Sequence, residues 1–305
     1  MSEHFTHVAV CDDTARLALL HPDLHPELAR ALESCMDTAR LGGVTRGADR
    51  FTAEIIARSR EEARKGEALR DRRLREKLAF VLGALAHRAA DRLMKPVFRF
   101  FGHKSDEDGP CEASIYMDIF VLREVFCGGD ERSELYRRAI HEAPPGALEE
   151  AFRILWQRAL VAMHTFAPDL SDAGAWLDKL LETRQRYTVS LERYARAARE
   201  WAPEKIRRYL DETRFYDRSD GLIRLARARQ RGDSVDGRAV IEALGATDER
   251  SSRYARALAK ALSYVLAASR LFAGEIGAEE ARRLFDVGVD ELSVGYEPPR
   301  SKATG

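Results

Sequence analysis

The sequence has little of what interrupts, staples or polarises a helical chain. Only 10 prolines occur in 305 residues, so helices can run long without losing donors. The four cysteines, Cys11, Cys35, Cys111 and Cys127, include no C-x-x-C pair. They read as free thiols, not as a disulfide framework. Net charge is absent too: 50 basic residues balance 50 acidic ones. A chain-wide basic field is therefore missing, and nucleic acid is not a favoured partner. No run of about 18 uncharged apolar residues occurs, so no membrane span is expected. The opening MSEHFTHVAVCDD has neither a basic n-region nor an apolar h-region, and a cytoplasmic location is the expectation. G-x-x-x-x-G-K-[ST], G-x-G-x-x-G and G-x-S-x-G are all missing. Nucleotide-binding loops and a serine-hydrolase elbow are thus unsupported.

What is abundant is helix-forming. The chain holds 45 alanines and 42 arginines, with 45 % hydrophobic and 33 % charged residues. That composition excludes wholesale disorder and favours helix. The apolar periodicity is helical almost throughout and gives no strand run, so the fold is expected to be all-α, a multi-helix bundle of roughly ten helices. The first helix is placed at about 7–20 and is broken by His21-Pro22-Asp23-Leu24-His25-Pro26. The second starts at Pro26 and stops at Gly42-Gly43. Residues 43–49 read as a loop, 50–65 and 67–101 as long helices, with Pro96 kinking or ending the latter. After the polar turn 102–110, helices follow at about 111–126, 131–142, 146–166, 171–200, 203–214, 220–231, 236–244 and 248–288. The last is expected to break near Gly274 or Gly277. Residues 1–128 form the region where chemistry is sought. Residues 129–296 are an Arg-rich helical continuation of the same body, and 297–305 a frayed tail.

Three groups of residues could carry chemistry. In LGALAHRAADRLMKP, His87 and Asp91 are four apart and share a helix face. The turns before them are apolar, so these polar groups need partners, and a metal ion is one that satisfies both. A plain helix-surface hydrogen bond would also satisfy the pair. Gly83, one turn before His87, leaves room for a close neighbour. The second group is N-terminal: His4 and His7, then Asp12 and Asp13, with His7 placed to point inward from an apolar helix. Asp49 follows a glycine-containing loop and is either a ligand or the N-cap of the next helix. The third is GHKSDEDGPCEASIYMDIF. Glu112 suits the positive end of a helix dipole. Asp118 sits within Ile115–Val121, the most apolar stretch of the chain, where a carboxylate needs a cation or several donors.

Together, FTHVAVCDDTARLAL, the glycine loop ending in Asp49, and LGALAHRAAD resemble the zinc-dependent phospholipase C family, which is related to the single-strand-specific zinc nucleases. The resemblance covers about residues 5–125 and implies an all-helical bundle around a zinc site that hydrolyses phosphate esters. It implies His7, Asp49, His87 and Asp91 as metal ligands, with one or two zinc ions and a small phosphate-ester substrate. Glu112 or Asp118 would be a further ligand or the general base, and Lys95 would hold a substrate phosphate. Residues 50–86 contain no histidine where that family carries one, and Lys95-Pro96 stands where it has another. An ammonium beside carboxylates can replace a lost cation. The alternative is therefore a non-catalytic helical scaffold or regulatory protein with a degraded metal site.

The remaining features read as packing. Residues 57–77 carry nine basic and five acidic residues, which i,i+4 pairing turns into a solvated face. Arginines interleaved with Tyr187, Tyr194, Tyr209 and Tyr216 suit helix packing with snorkelling stems.

Overall fold

The computed structural model describes residues 4–45, 51–64, 72–101, 112–129 and 203–287. These form eleven α-helices and no strand, the all-α bundle that the periodicity predicts. They are α1 (His4–Ala18), α2 (Pro26–Ser34), α3 (Met36–Val44), α4 (Thr52–Arg64), α5 (Arg72–Phe101), α6 (Glu112–Val121), α7 (Pro203–Thr213), α8 (Gly221–Gln230), α9 (Gly237–Ala246), α10 (Arg253–Ala273) and α11 (Ala278–Leu284). A π-helical turn, Leu122–Phe126, continues α6. No helix among the described residues is long and apolar enough to cross a membrane. The helices expected at 131–142, 146–166 and 171–200 lie outside the described residues, as do the loop 102–110 and the tail 297–305.

Local chemistry sets the helix ends. Pro26 opens α2, and His25 caps it by accepting the Glu27 amide on Nδ1 (3.2 Å). A proline there loses only a donor that the first turn leaves unused. Ser252 caps α10 by accepting the Ala255 amide (3.2 Å). Gly274 ends that helix in the left-handed region at φ +85°, where a side chain would be strained. Of the two expected break points, Gly274 stops α10 and Gly277 precedes α11.

Two boundaries differ from expectation. The single helix expected from Pro26 to Gly42-Gly43 is two, parted at Cys35, whose backbone (φ −133°, ψ 37°) leaves the helical region. Gly42 and Gly43 then lie inside α3 and do not end it. The helix α5 also runs through Pro96 to Phe101. Pro96 removes one backbone bond, but Val97 and Phe98 are buried beyond it, and that packing carries the helix on.

The long helix α5 is the central element, with α1, α3 and α10 packed around it. Along α10, Tyr254, Leu258, Ala261, Leu262, Val265, Ala268 and Phe272 are buried, the spacing of an amphipathic core helix. The crossing of α3 on α5 is tighter than side chains permit. A Cβ on Gly83 would sit 1.8 Å from the Ala39 carbonyl oxygen, and one on Gly42 would sit 2.0 Å from that of Phe80. Two backbones touch there, glycine to main chain on both sides.

The acids of α1 tie it to its neighbours. Asp12 accepts from Arg40 of α3 through Nε (2.8 Å) and Nη2 (2.9 Å), a bidentate geometry that fixes orientation. The fully buried Asp13 accepts from Arg16 (2.6 Å) and from the Tyr254 hydroxyl of α10 (2.8 Å), and pairs with Arg227 of α8. On another face of α5, Arg88 donates to the Phe285 carbonyl (2.7 Å) and Arg92 to that of Asp286 (2.9 Å). Guanidinium groups thus meet the negative end of α11.

On helix propensity alone, Gly83→Ala should gain about 1 kcal/mol. The backbone contact reverses the sign, and the expected result is a loss of about 2–3 kcal/mol. Urea denaturation of the variant beside the parent measures it; a neutral or stabilising outcome would show that α3 and α5 do not touch at this point.

Candidate metal centre

The close crossing delivers the backbone of α3 to the side chains of α5. His87 lies one turn after Gly83, and its Nδ1 is 2.9 Å from the Gly43 carbonyl oxygen. A carbonyl only accepts, so Nδ1 carries the proton. In the neutral ring Nε2 is then a bare lone pair, and it lies 3.3 Å from Asp91 Oδ2. Two acceptors face one another, an arrangement that calls for a cation between them: a proton or a metal ion.

The helix α1 supplies the third member. His7 Nε2 lies 3.0 Å from Asp91 Oδ1, and the His7 and His87 rings lie with centroids 4.4 Å apart, tilted by 34°. His7, His87 and Asp91 each offer a ligand atom within 4.8 Å of the others, and they form the metal-capable group among the described residues. Ligands held about 2.0–2.1 Å from a tetrahedral zinc are about 3.3–3.4 Å apart. The 3.0 Å separation runs from His7 to Asp91 Oδ1 and the 3.3 Å one from His87 to Oδ2, so the two nitrogens face different oxygens of one carboxylate, and a shared ion needs the side chains to shift. All three residues are buried, with exposures of 1 %, 5 % and 2 %.

Burial works to raise the Asp91 pKa, but the charge and hydrogen bonds of His87 and His7 overcome it. They hold the carboxyl well below its usual range. Asp91 is therefore an anion across the neutral range. Lys95, one turn further along α5, places its ammonium 2.6 Å from Asp91 Oδ2. Its side chain is 23 % exposed, so this cation joins the buried group to the surface.

The other expected residues are distributed differently. Asp49 lies outside the described residues. Glu112 opens α6, and its side chain lies outside the description, as does that of His4. Asp118 is fully buried on α6 and faces the start of α1. It accepts the Phe5 amide (3.1 Å), the Thr6 amide (2.8 Å) and the Thr6 hydroxyl (2.6 Å). Several donors are among the partners expected for this carboxylate, and here they come from α1: it caps a helix N-terminus from a distant helix. Its place in the apolar stretch is explained without assigning it chemistry. Cys11 packs against Gly43, and burial pushes its thiol pKa up, with Asp12 adding to the effect.

Among the described residues, the Gly43 carbonyl is a partner of this cluster that sequence reasoning passed over. Its signal was present in the paired glycines, read as a helix stop when they mark a close approach. Compared with family models, curated proteins and solved structures, the chain matches none of them.

Asp118→Ala removes the acceptor for two amides and a hydroxyl in a dry site. The expected cost is about 2–4 kcal/mol of stability, read by denaturant unfolding. A loss below about 1 kcal/mol would mean that α1 does not depend on this cap.

Proposed function

We propose that the protein is a cytoplasmic, metal-dependent phosphoesterase of the kind that the zinc-dependent phospholipase C resemblance implies. The observation that supports it most is the orientation of His87. Its Nδ1 is committed to the Gly43 carbonyl, and its Nε2 is aimed with His7 at Asp91. Metal-binding histidines are held in this way: one nitrogen donates to a carbonyl, which leaves the other free to ligate.

The residues fit a divalent ion. Two imidazoles and one carboxylate are a borderline-soft donor set suited to zinc, and three protein ligands leave a position open. Zinc held there supplies a Lewis acid and water of lowered pKa. His7, His87 and Asp91 hold the ion in this reading, and the Gly43 carbonyl fixes the His87 ring. Asp91 also brings the Lys95 ammonium to the edge of the site, where it can hold a phosphate oxygen. Asp118 is engaged by α1, so the part of further ligand or general base falls to Glu112, and Asp49 keeps the part of an expected ligand.

A second reading, the non-catalytic scaffold, is favoured by a specific contact. Lys95 already balances the Asp91 charge at 2.6 Å, which lets a folded bundle persist without an ion.

Elemental analysis of protein purified without chelator or affinity metal separates the two, with His87→Ala as the control. The proposed function predicts close to one zinc per chain, lost in His87→Ala, and hydrolysis of a phosphodiester or phosphomonoester that disappears with it. Absence of metal from both proteins, with no phosphate-ester hydrolysis by either, would favour the scaffold instead.

A further inference from the structure

We infer that Lys95 is a built-in competitor for the ion, and that it makes metal occupancy of this centre reversible. The inference rests on the metal reading above and concerns how that site is regulated.

The two oxygens of Asp91 are used unequally. Oδ1 faces His7 at 3.0 Å. Oδ2 faces His87 at 3.3 Å and Lys95 at 2.6 Å. The same oxygen that completes a ligand pair with His87 is therefore held by a cation from the chain itself. Lys95 stands four residues after Asp91 on the same helix, so its ammonium stays within reach of the carboxylate. Its neighbours Met94 and Val97 are buried, which anchors the backbone from which the ammonium reaches. The carboxylate it contacts is 3 % exposed, so solvent screens the pair poorly.

Two consequences follow, and both act in one direction. A positive charge on Oδ2 draws electron density from the carboxylate and weakens it as a ligand. The same charge repels a divalent cation entering beside it. Without Lys95, an empty site would hold a buried anion short of positive charge, and loading would be strongly favoured. With Lys95, the empty site is balanced, and the ion must displace or tolerate an ammonium. The centre therefore fills and empties with the free-ion concentration and is not loaded permanently. The partly exposed Lys95 stem gives the displaced ammonium a route to solvent.

The test uses the full chain stripped by chelator. Zn²⁺ is titrated against a chromophoric chelator, and Co²⁺ is titrated in parallel to read the ligand-field absorption of a histidine–carboxylate site. Lys95→Met keeps the stem and removes the charge. Lys95→Arg keeps the charge. Lys95→Gln repeats the neutral case should the methionine variant fold poorly, and His87→Ala reports binding elsewhere. The expected result is that the neutral variants bind Zn²⁺ at least about tenfold more tightly than the parent, and Lys95→Arg within about threefold of it. Binding in the neutral variants that equals or falls below the parent's would overturn the role of Lys95 and leave the metal reading standing. Absence of any His87-dependent binding in all variants, the neutral ones included, would overturn the metal reading itself and this inference with it.

Discussion

The contact between α3 and α5 is the constraint from which the rest of the site follows. Gly83 lies against the Ala39 carbonyl and Gly42 against that of Phe80, so main chain meets main chain without side chains between. A larger residue at either point would meet main chain and force the two helices to shift. The Gly43 carbonyl would then leave His87, and the ring would be free to rotate. A backbone approach thus decides which nitrogen of a histidine carries its proton, and that in turn decides what can bind to the other. Packing at this level is not background to the chemistry; it selects the chemistry.

The second organising feature is the way α1 enters the core. It carries Thr6, His7, Asp12, Asp13 and Thr14 in buried positions, an expensive set unless every charge is answered. Each carboxylate in this part of the bundle is answered from another element. Asp12 meets Arg40 of α3, Asp13 meets Tyr254 of α10 and Arg227 of α8, and Asp118 of α6 takes the first amides of α1. Polar pairing therefore sets the rotation and axial position of α1, which apolar packing alone leaves loose. His7 is carried to Asp91 as a result. Among these acids, Asp91 alone shares its oxygens with two imidazoles and an ammonium, which sets it apart as a functional candidate.

Much of the fold was legible because its signals are local. Pro26, Gly274 and the amphipathic spacing of α10 marked helix limits and faces. The pairing of His87 with Asp91 was legible from the i,i+4 spacing, and so was the need for room at Gly83. Convergence of His7 on that pair rested on the family resemblance, since 84 residues separate it from Asp91. What was not legible depended on tertiary direction. Gly42-Gly43 has the same composition whether it stops a helix or lets another helix approach. Cys35 carries no breaker chemistry, and its non-helical backbone lets α3 turn onto α5. Asp118 announced a need for partners, but nothing in its neighbours said that they would be the amides of α1. Asp49 and Glu112 remain expectations from the sequence.

The most direct measurement is the protonation of the His87 ring, by two-dimensional ¹H–¹⁵N correlation of the imidazole nitrogens in uniformly labelled protein. The account predicts that Nδ1 carries a proton and that Nε2 carries a lone pair, a shared proton or a metal ion. Adding zinc should shift Nε2 and leave Nδ1 protonated. A His87 ring with a bare Nδ1 would contradict it, because the Gly43 carbonyl could not then be its partner and the α3–α5 crossing would not be what orients the site.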